Sequence, residues 1–236
     1  MIGEDVQPLV WDSNWMGFPV ARFIVDSSDN MTIAVAQCRA AGMRLLYLVL
    51  DPADTVAAAA AAATGALLLD VKLSYEKRLP GLTMSGVPPV GTVLALADAT
   101  TPQLVALAFQ SGEYSRFRRD FRIGIQAFEG LYAHWLGKAL VNGRVWAASN
   151  ANETVGLLAF DVRGGDASIE LLAVAPTARR QHIGQYLVQV AEQAAQHQGY
   201  ATLQVVTQGA NQPARQFYER CGFQVRHTEH IYHLWL

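Results

Sequence analysis

The stretch ASIELLAVAPTARRQHIGQYLVQVAEQAAQHQ, residues 167–198, decides the fold that we predict for this chain. Residues 169–175 form an apolar run rich in Leu and Val, which is typical of a strand buried on both faces. From Ile183 onward, apolar residues recur at helical spacing. The link between strand and helix is short, basic and ends on Gly184. Such a turn presents free backbone N–H groups and the positive end of a helix dipole, so we predict that it binds a diphosphate.

Composition excludes several classes of protein. With 236 residues, of which 51% are hydrophobic and 16% charged, the chain can form one large or two small globular domains with a substantial core. The net charge of −2 gives no global reason to bind nucleic acid or an anionic membrane. No segment reaches the length of a membrane span and the N-terminus lacks signal-peptide features, so we expect a cytoplasmic protein.

Cysteine and histidine spacing gives no sign of a metal site. Cys38 and Cys221 form no CxxC or Cys/His pattern, which argues against a disulfide framework and a structural zinc, and we expect both to be small buried hydrophobes. We expect no bound metal and predict surface positions for His134, His182, His227, His230 and His233.

The chain reads as two α/β units. Residues 1–85 alternate short strands with helices, including a helix over the alanine run 57–63 and a strand over 66–79, which predicts a small α/β domain. The Pro- and Gly-rich residues 79–91 predict a linker. Residues 86–236 alternate strands and helices again and form the second predicted domain, which contains the stretch quoted above.

A second motif identifies a superfamily. Residues 211–223 fit Asn-x-x-Ala-x-x-Phe-Tyr-x-x-x-Gly-Phe, with matches at Asn211, Ala214, Phe217, Tyr218, Gly222 and Phe223. With the basic link, this motif resembles the GCN5-related N-acetyltransferase (GNAT) superfamily over residues 91–236. The link of that superfamily runs Arg/Gln-x-x-Gly-x-Gly/Ala; Arg179 and Gly184 match it, whereas His182 stands at the middle glycine. The resemblance implies an α/β (α+β) fold with a mixed central sheet of GNAT type, and acetyl-CoA as co-substrate.

The same resemblance assigns residues to the coenzyme. Backbone N–H groups near Leu172, Ala173 and Val174 are expected to meet the thioester carbonyl. Asn211 is expected to contact the pantetheine arm, although an N-cap role would explain its position equally well, and both roles can hold at once. The residues implied at the pyrophosphate are Arg179, Arg180, Gln181, His182, Ile183, Gly184 and Gln185, and those implied beside the pantetheine are Asn211, Ala214 and Phe217.

A closer resemblance reaches into the first domain. Pro8-Leu9-x-Trp11-Asp12-Ser13 with Gly17, residues 65–73, and Ser115-Arg116-Phe117 before a helix carrying Tyr132 and Trp135 are similar to the dTDP-fucosamine acetyltransferases. That family acetylates the amine of a dTDP-linked 4-amino-4,6-dideoxy-galactose. The resemblance implies that residues 1–85 contribute to the acceptor site.

Three residues are candidates for proton transfer. Tyr218 is the candidate donor to the departing thiolate, since a phenol has an ordinary pKa of ~10; from spacing alone, helix packing would explain it, and the surrounding motif favours the catalytic role. Asp70 and Glu170 are the candidate bases. Both lie in apolar strand contexts where burial would raise the pKa of a carboxyl, and Asp70 is preferred because the fucosamine enzymes carry a carboxylate at its position.

The segment SGEYSRFRRDFR, residues 111–122, is the candidate substrate site because it mixes arginines with aromatics. Arginine suits a diphosphate and an aromatic ring suits a nucleobase, so Tyr114, Arg116, Phe117 and Arg118 are assigned to the acceptor. A solvated charged loop is the alternative.

The predicted activity is acetyl transfer from acetyl-CoA to the amine of a nucleotide-linked deoxyamino sugar. Two alternatives stay open: an acetyltransferase for a protein N-terminus or another small amine, which an acidic open cleft would favour, and a non-catalytic coenzyme A-binding module, suggested by His182. The sequence leaves the oligomeric state open, a homodimer included.

Overall fold

A computed structural model describes residues 5–81, 87–151, 153–163 and 165–236. The strands are β1 (Val6–Pro8), β2 (Val20–Ile24), β3 (Leu45–Leu50), β4 (Leu67–Arg78), β5 (Thr92–Leu96), β6 (Val145–Asn150), β7 (Glu153–Arg163), β8 (Asp166–Val174), β9 (Thr202–Gln208) and β10 (Gln224–Trp235). The helices are α1 (Val10–Met16), α2 (Ser28–Ala40), α3 (Thr55–Ala63), α4 (Pro102–Ser111), α5 (Arg116–Arg119), α6 (Ile125–Val141), α7 (Ile183–His197) and α8 (Gln212–Arg220).

The ten strands form one mixed sheet in the order β1-β2-β3-β10-β4-β9-β8-β7-β6-β5. The pairs β2–β3 and β8–β9 are parallel, and the other neighbouring strands are antiparallel. The α/β fold with a mixed central sheet, predicted from the sequence, is therefore confirmed.

Strands from both predicted domains share this sheet. The last strand, β10, inserts between β3 and β4 and forms hydrogen bonds with both. The predicted boundary between residues 85 and 86 lies outside the described residues, since 82–86 are not described. The division into two domains stays a prediction. The insertion of β10 places residues of the first predicted domain, on β3 and β4, directly beside residues of the second.

Helices cover both faces of the sheet, and alternate residues of one strand pack under different helices. Leu157 lies in the core beneath α4 and α6, whereas Leu158, its neighbour, packs beneath α7. We call the side that carries α1, α4, α5 and α6 the front face and the side that carries α2, α3, α7 and α8 the back face. A site that crosses the sheet can thus draw residues from both helix layers.

The sheet opens between β8 and β9. These strands pair only from Ala167 to Ile169 of β8, opposite Leu203 to Val205, although both continue beyond the last pair. A β-bulge at Glu170 accompanies the opening, because Ile169 pairs with Phe160 and Leu171 with Ala159. Ile169 belongs to the back core and Leu171 to the front core, so the bulge changes the face to which alternate residues point.

One expectation about the histidines is wrong, and α1 adds a detail to the first domain. Asp12-Ser13-Asn14 lies inside α1, where the Ser13 hydroxyl donates to the Leu9 carbonyl at 2.7 Å. His233, expected at the surface, is only 1% exposed because β10 is an interior strand of the sheet. Within the described ranges, no helix is both long and apolar enough to cross a membrane.

Candidate active site

A cleft of about 440 Å³ lies where β8 and β9 separate. Its lining includes Asp70, Arg116 and Trp135 from the front face, and Tyr218 of α8 with Asn211, the residue preceding this helix, from the back face. The cleft therefore passes through the sheet, so a reactant entering from the front can meet one held at the back.

The start of α7 has the geometry of an anion site. No side chain caps this helix, and residues 179–182 in the preceding link are exposed. Arg180 and His182 both adopt the left-handed conformation, with φ of 61°. The uncapped amides of the first turn and the positive end of the helix dipole suit a phosphate group, as the sequence predicts.

The conformation of His182 explains the glycine of the family pattern. A φ of 61° lies in the left-handed region, where a glycine is free of Cβ strain. The imidazole lies over the first turn of α7, with Nδ1 2.7 Å from Oε1 of Gln185. His182 therefore adopts the left-handed conformation that the glycine of the pattern would favour, with its side chain held by Gln185.

The two sequence motifs meet at Gly184 and Phe217. A Cβ added at Gly184 would lie 3.3 Å from two ring carbons of Phe217, so a side chain there would require the ring to shift by a few tenths of an ångström. Asn211 begins the second motif as the N-cap of α8, where its Oδ1 accepts from the Ala214 N–H at 3.2 Å. The N-cap role weighed for Asn211 is thereby confirmed, and Asn211 and Ala214 also line the cleft.

The free edge of β8 supplies backbone donors. Ala175 N–H donates to the Val155 carbonyl of β7 at 2.8 Å, and strand alternation therefore turns the Ala173 amide towards β7 as well. Leu172 and Val174 then turn their amides towards the gap. The Val174 carbonyl accepts from Gln110 Nε2 at 2.9 Å, which ties this edge to α4. Of the three residues predicted to present amides, Leu172 and Val174 do so.

Tyr218 is a buried phenol at the back of the cleft. Its ring packs against Tyr75, Phe217 and Phe223, with centroids 5.3–6.2 Å apart. Burial raises the pKa of Tyr218 well above the ordinary value for a phenol, and the nearby Cys221 adds to this effect. The hydroxyl therefore keeps its proton at neutral pH, which is the state that a proton donor needs.

Asp70 is a buried carboxyl on the front side of the cleft. The residue is 4% exposed, and its Oδ1 has no hydrogen-bond partner among the described residues. Burial raises the pKa of Asp70 to about 6, although the positive charges of Arg116, Arg119 and Lys72 oppose the shift. A carboxyl with this pKa is ionised at neutral pH and is basic enough to accept a proton.

Glu170 differs from the expectation. It lies at the bulge of β8 and lines the cleft, but its side chain is exposed rather than buried. The apolar residues on either side of Glu170 predicted a buried side chain. The prediction failed because the bulge changes the direction of this side chain, and nothing in the local sequence indicates a bulge there.

The arginine-rich segment is ordered against the body of the protein. Ser115 caps the short helix α5, and Arg116 lies between two rings, 4.3 Å from the centroid of Phe117 and 5.0 Å from that of Tyr47. Arg116 and Phe117 line the cleft. Arg118 is exposed with its guanidinium over Phe128, and neither Arg118 nor Tyr114 is among the cleft-lining residues. The segment therefore brings half of its predicted substrate residues to the cleft.

A buried hydrogen-bond network of Asp120, His233 and Trp235 packs against Tyr47, the ring over which Arg116 lies. His233 Nδ1 lies 2.7 Å from Oδ2 of Asp120, which also accepts from Trp235 Nε1 at 2.9 Å. The His233 ring packs against Tyr47 at a tilt of 32°, with centroids 4.7 Å apart, and the guanidinium of Arg116 lies over the Tyr47 ring. Burial lowers the pKa of His233, so its ring is neutral at neutral pH.

Sequence reasoning missed several charged residues of the cleft. The basic lining residues are Lys72, Arg116, Lys138 and Arg144, and the acidic ones are Asp70, Asp161 and Glu170. Lys138 follows Trp135 by three residues, and this spacing indicates that the two share one face of α6. Only the folded chain shows that this face lines the cleft. Across the part of the chain that the structure describes, no three His, Cys, Asp or Glu side chains are grouped so that they could hold a metal ion.

Residues 111–223 match the model of the acetyltransferase (GNAT) family. The chain is also similar to the spore coat polysaccharide biosynthesis protein SpsD of Bacillus subtilis, with 27% identity over 72% of this chain. That alignment spans 57% of SpsD, so the chain corresponds to little more than half of that protein.

Solved structures share the fold at low sequence identity. A GCN5-related N-acetyltransferase from Sphaerobacter thermophilus superposes over 98% of this chain and 76% of its own, with a TM-score of 0.66 at 13% identity. A GCN5-related N-acetyltransferase from Kribbella flavida superposes over 99% of this chain and 88% of its own, with a TM-score of 0.63 at 16% identity. The fold is therefore of the GNAT type over nearly the whole chain.

Proposed function

We propose that this chain, which has a GNAT-type fold and matches the acetyltransferase (GNAT) family over residues 111–223, transfers acetyl from acetyl-CoA to the amine of a nucleotide-linked deoxyamino sugar. One observation carries the proposal: the cleft crosses the sheet with the Asp70 carboxyl on its front side and the Tyr218 phenol on its back side. The two groups have the protonation states of a base and an acid at neutral pH.

The back of the molecule fits coenzyme A. The amides at the start of α7 would hold the pyrophosphate, and the part of the cleft lined by Asn211 and Ala214, next to Phe217, would hold the pantetheine arm. The thioester carbonyl would then lie at the gap between β8 and β9, where the Leu172 and Val174 amides can donate to its oxygen. Such donors stabilise the negative charge that develops on the carbonyl oxygen during acyl transfer.

The protons then move in opposite directions on the two sides of the sheet. On the front side, Asp70 accepts the proton that the amine loses as its nitrogen bonds to the acetyl carbon. On the back side, the carbon–sulfur bond breaks and Tyr218 donates its proton to the departing sulfur. The reaction consumes an amine and a thioester and yields an amide and a thiol.

Two observations support a nucleotide sugar as the acceptor. SpsD, the relative from Bacillus subtilis, is named for polysaccharide biosynthesis. The cleft is also lined by Lys72, Arg116, Lys138 and Arg144 and is not predominantly acidic, which suits an anionic acceptor better than a protein N-terminus.

Mass spectrometry of products from acetyl-CoA and a panel of amines tests the proposal. The panel contains dTDP- and UDP-linked amino sugars, the free amino sugars and peptides with free N-termini. We expect one acetyl group on nucleotide-linked amino sugars and none on the peptides. Acetylation of peptides alone would refute the sugar acceptor, and absence of any acetylated product across the panel would refute catalysis.

A further inference from the structure

One face of α6 forms a strip along the cleft. Tyr132, Trp135, Lys138 and Asn142 line the cleft and are spaced by three or four residues, so they lie on the same side of the helix. At a rise of 1.5 Å per residue, Lys138 is about 9 Å further along the helix than Tyr132. The strip therefore leads from a buried inner end to an exposed outer end.

The inner end of the strip lies beside the proposed base. Tyr132 is buried, and the charges of Arg116 and Asp70 are both close enough to influence the pKa of its hydroxyl. An amine that gives its proton to Asp70 is thus next to Tyr132, and the rest of the acceptor extends outward along α6.

The outer end carries a cation that no neighbouring carboxylate neutralises. Lys72 forms an ion pair with Glu229 at 2.7 Å, and Arg144 forms one with Asp161. Arg116 lies in the fields of Asp12 and Asp70. Lys138 is exposed and, within the described ranges, forms neither an ion pair nor a hydrogen bond.

We propose that Lys138 binds the diphosphate of the acceptor, with the sugar ring lying along Trp135 between this lysine and Asp70. The inference rests on the proposed function and identifies the diphosphate as the part of the acceptor that Lys138 binds. The separation of about 9 Å along α6 matches one sugar ring followed by its phosphate. Trp135 offers the apolar face against which the C–H groups of a sugar pack. Lys138, which lines the cleft, takes the role that the sequence assigned to Arg118, which lies outside it.

If Lys138 had only a structural role, its replacement would affect all acceptors equally. The residue lies in the last turn of α6, where a positive side chain also stabilises the negative end of the helix dipole. Loss of that role would lower the stability of the protein and would affect every acceptor alike. Loss of a diphosphate contact affects only acceptors that carry the diphosphate.

Steady-state kinetics of Lys138→Met, Lys138→Arg and the control Arg118→Met separate these roles. The two acceptors are a nucleotide-linked amino sugar and the methyl glycoside of the same sugar, which lacks the diphosphate. We expect Lys138→Met to raise KM for the nucleotide-linked acceptor about tenfold, as for one lost charged contact, and to leave KM for the glycoside and for acetyl-CoA unchanged. Lys138→Arg should restore most of the affinity, and Arg118→Met should match the wild type.

Calorimetric titration with thymidine diphosphate gives a second readout that needs no turnover. We expect Lys138→Met to weaken its Kd about tenfold and the difference to shrink at high salt. Equal kinetics and equal Kd for Lys138→Met and Arg118→Met would overturn the inference while leaving the acetyltransferase proposal intact. A wild type that acetylates only amines without a diphosphate would overturn both the sugar acceptor and the role of Lys138.

Discussion

Gly184 lies so close to Phe217 that a Cβ at Gly184 would be 3.3 Å from two carbons of the Phe217 ring. The contact joins the start of α7, which fits a pyrophosphate, to α8, which carries Tyr218 and is capped by Asn211. This close contact packs the candidate phosphate site directly against the helix that carries the proposed acid.

Gly184→Val should disturb this contact. The added methyl groups must displace the Phe217 ring, and we expect a loss of about 1–3 kcal/mol of unfolding free energy together with weaker acetyl-CoA binding. Chemical denaturation and calorimetric titration measure the two effects. Gly137→Val in α6 is the matched control, because a Cβ there meets no atom within 4 Å. Equal stability of the two variants would show that the Gly184–Phe217 contact is not required.

Tyr218→Phe should separate binding from catalysis. Removal of the hydroxyl leaves the ring packing against Tyr75 and Phe223 in place, so the Kd of acetyl-CoA is expected to stay within about twofold, whereas kcat falls about 100-fold. Tyr75→Phe is the control, since Tyr75 is buried beside Tyr218 and its hydroxyl donates to Glu219 instead of lining the cleft. A Tyr218→Phe enzyme with wild-type kcat would remove this residue from the mechanism.

The sequence predicted the local geometry at the starts of α7 and α8 better than the front side of the cleft. The strand-link-helix around His182 and the N-cap at Asn211 depend on contacts between near neighbours in the chain, which periodicity and capping patterns reveal. The front side of the cleft depends on β10 inserting between β3 and β4, which brings His233 next to Tyr47 and Asp70 close to Arg116. No local pattern encodes pairings between such distant segments, and for this reason Lys138 was missed and the burial of Glu170 was wrongly expected.

His182→Gly tests the departure from the family pattern. A residue with a side chain pays about 1–2 kcal/mol for the left-handed conformation, and His182→Gly removes this cost. The gain offsets the conformational entropy that glycine adds to the unfolded chain. We expect coenzyme A to bind at least as tightly as to the wild type. His182→Ala, which keeps the backbone strain and removes the imidazole, serves as the comparison. A Kd weakened tenfold or more in both variants would mean that the imidazole itself contacts the coenzyme.

Asp70 should make the protein less stable as the pH rises from 4 to 6. The pKa of Asp70 is about 6 in the folded protein, against an ordinary value of 3.8, so the folded state holds more protons than the unfolded state between these values. Stability is then lost as the pH rises through this window, by about 3 kcal/mol for a shift of roughly two pH units. Asp70→Asn should be more stable than the wild type at pH 8, and the gain should vanish below pH 4. Thermal unfolding at both pH values gives the comparison, and an equal gain at pH 4 and 8 would contradict the assigned pKa.

The pH dependence of kcat/KM for the wild type, Asp70→Asn and Glu170→Gln tests most directly whether Asp70 accepts the amine proton at the front of the cleft. For the wild type, kcat/KM should rise with pH with a midpoint near pH 6, because the Asp70 carboxyl must lose its proton to act as a base. In Asp70→Asn this rise should disappear and kcat should fall about 100-fold or more with the Kd of acetyl-CoA unchanged, while Glu170→Gln keeps the wild-type profile. The role of Asp70 as the base would be contradicted if Asp70→Asn kept the wild-type rate and pH dependence while Glu170→Gln lost the rise near pH 6.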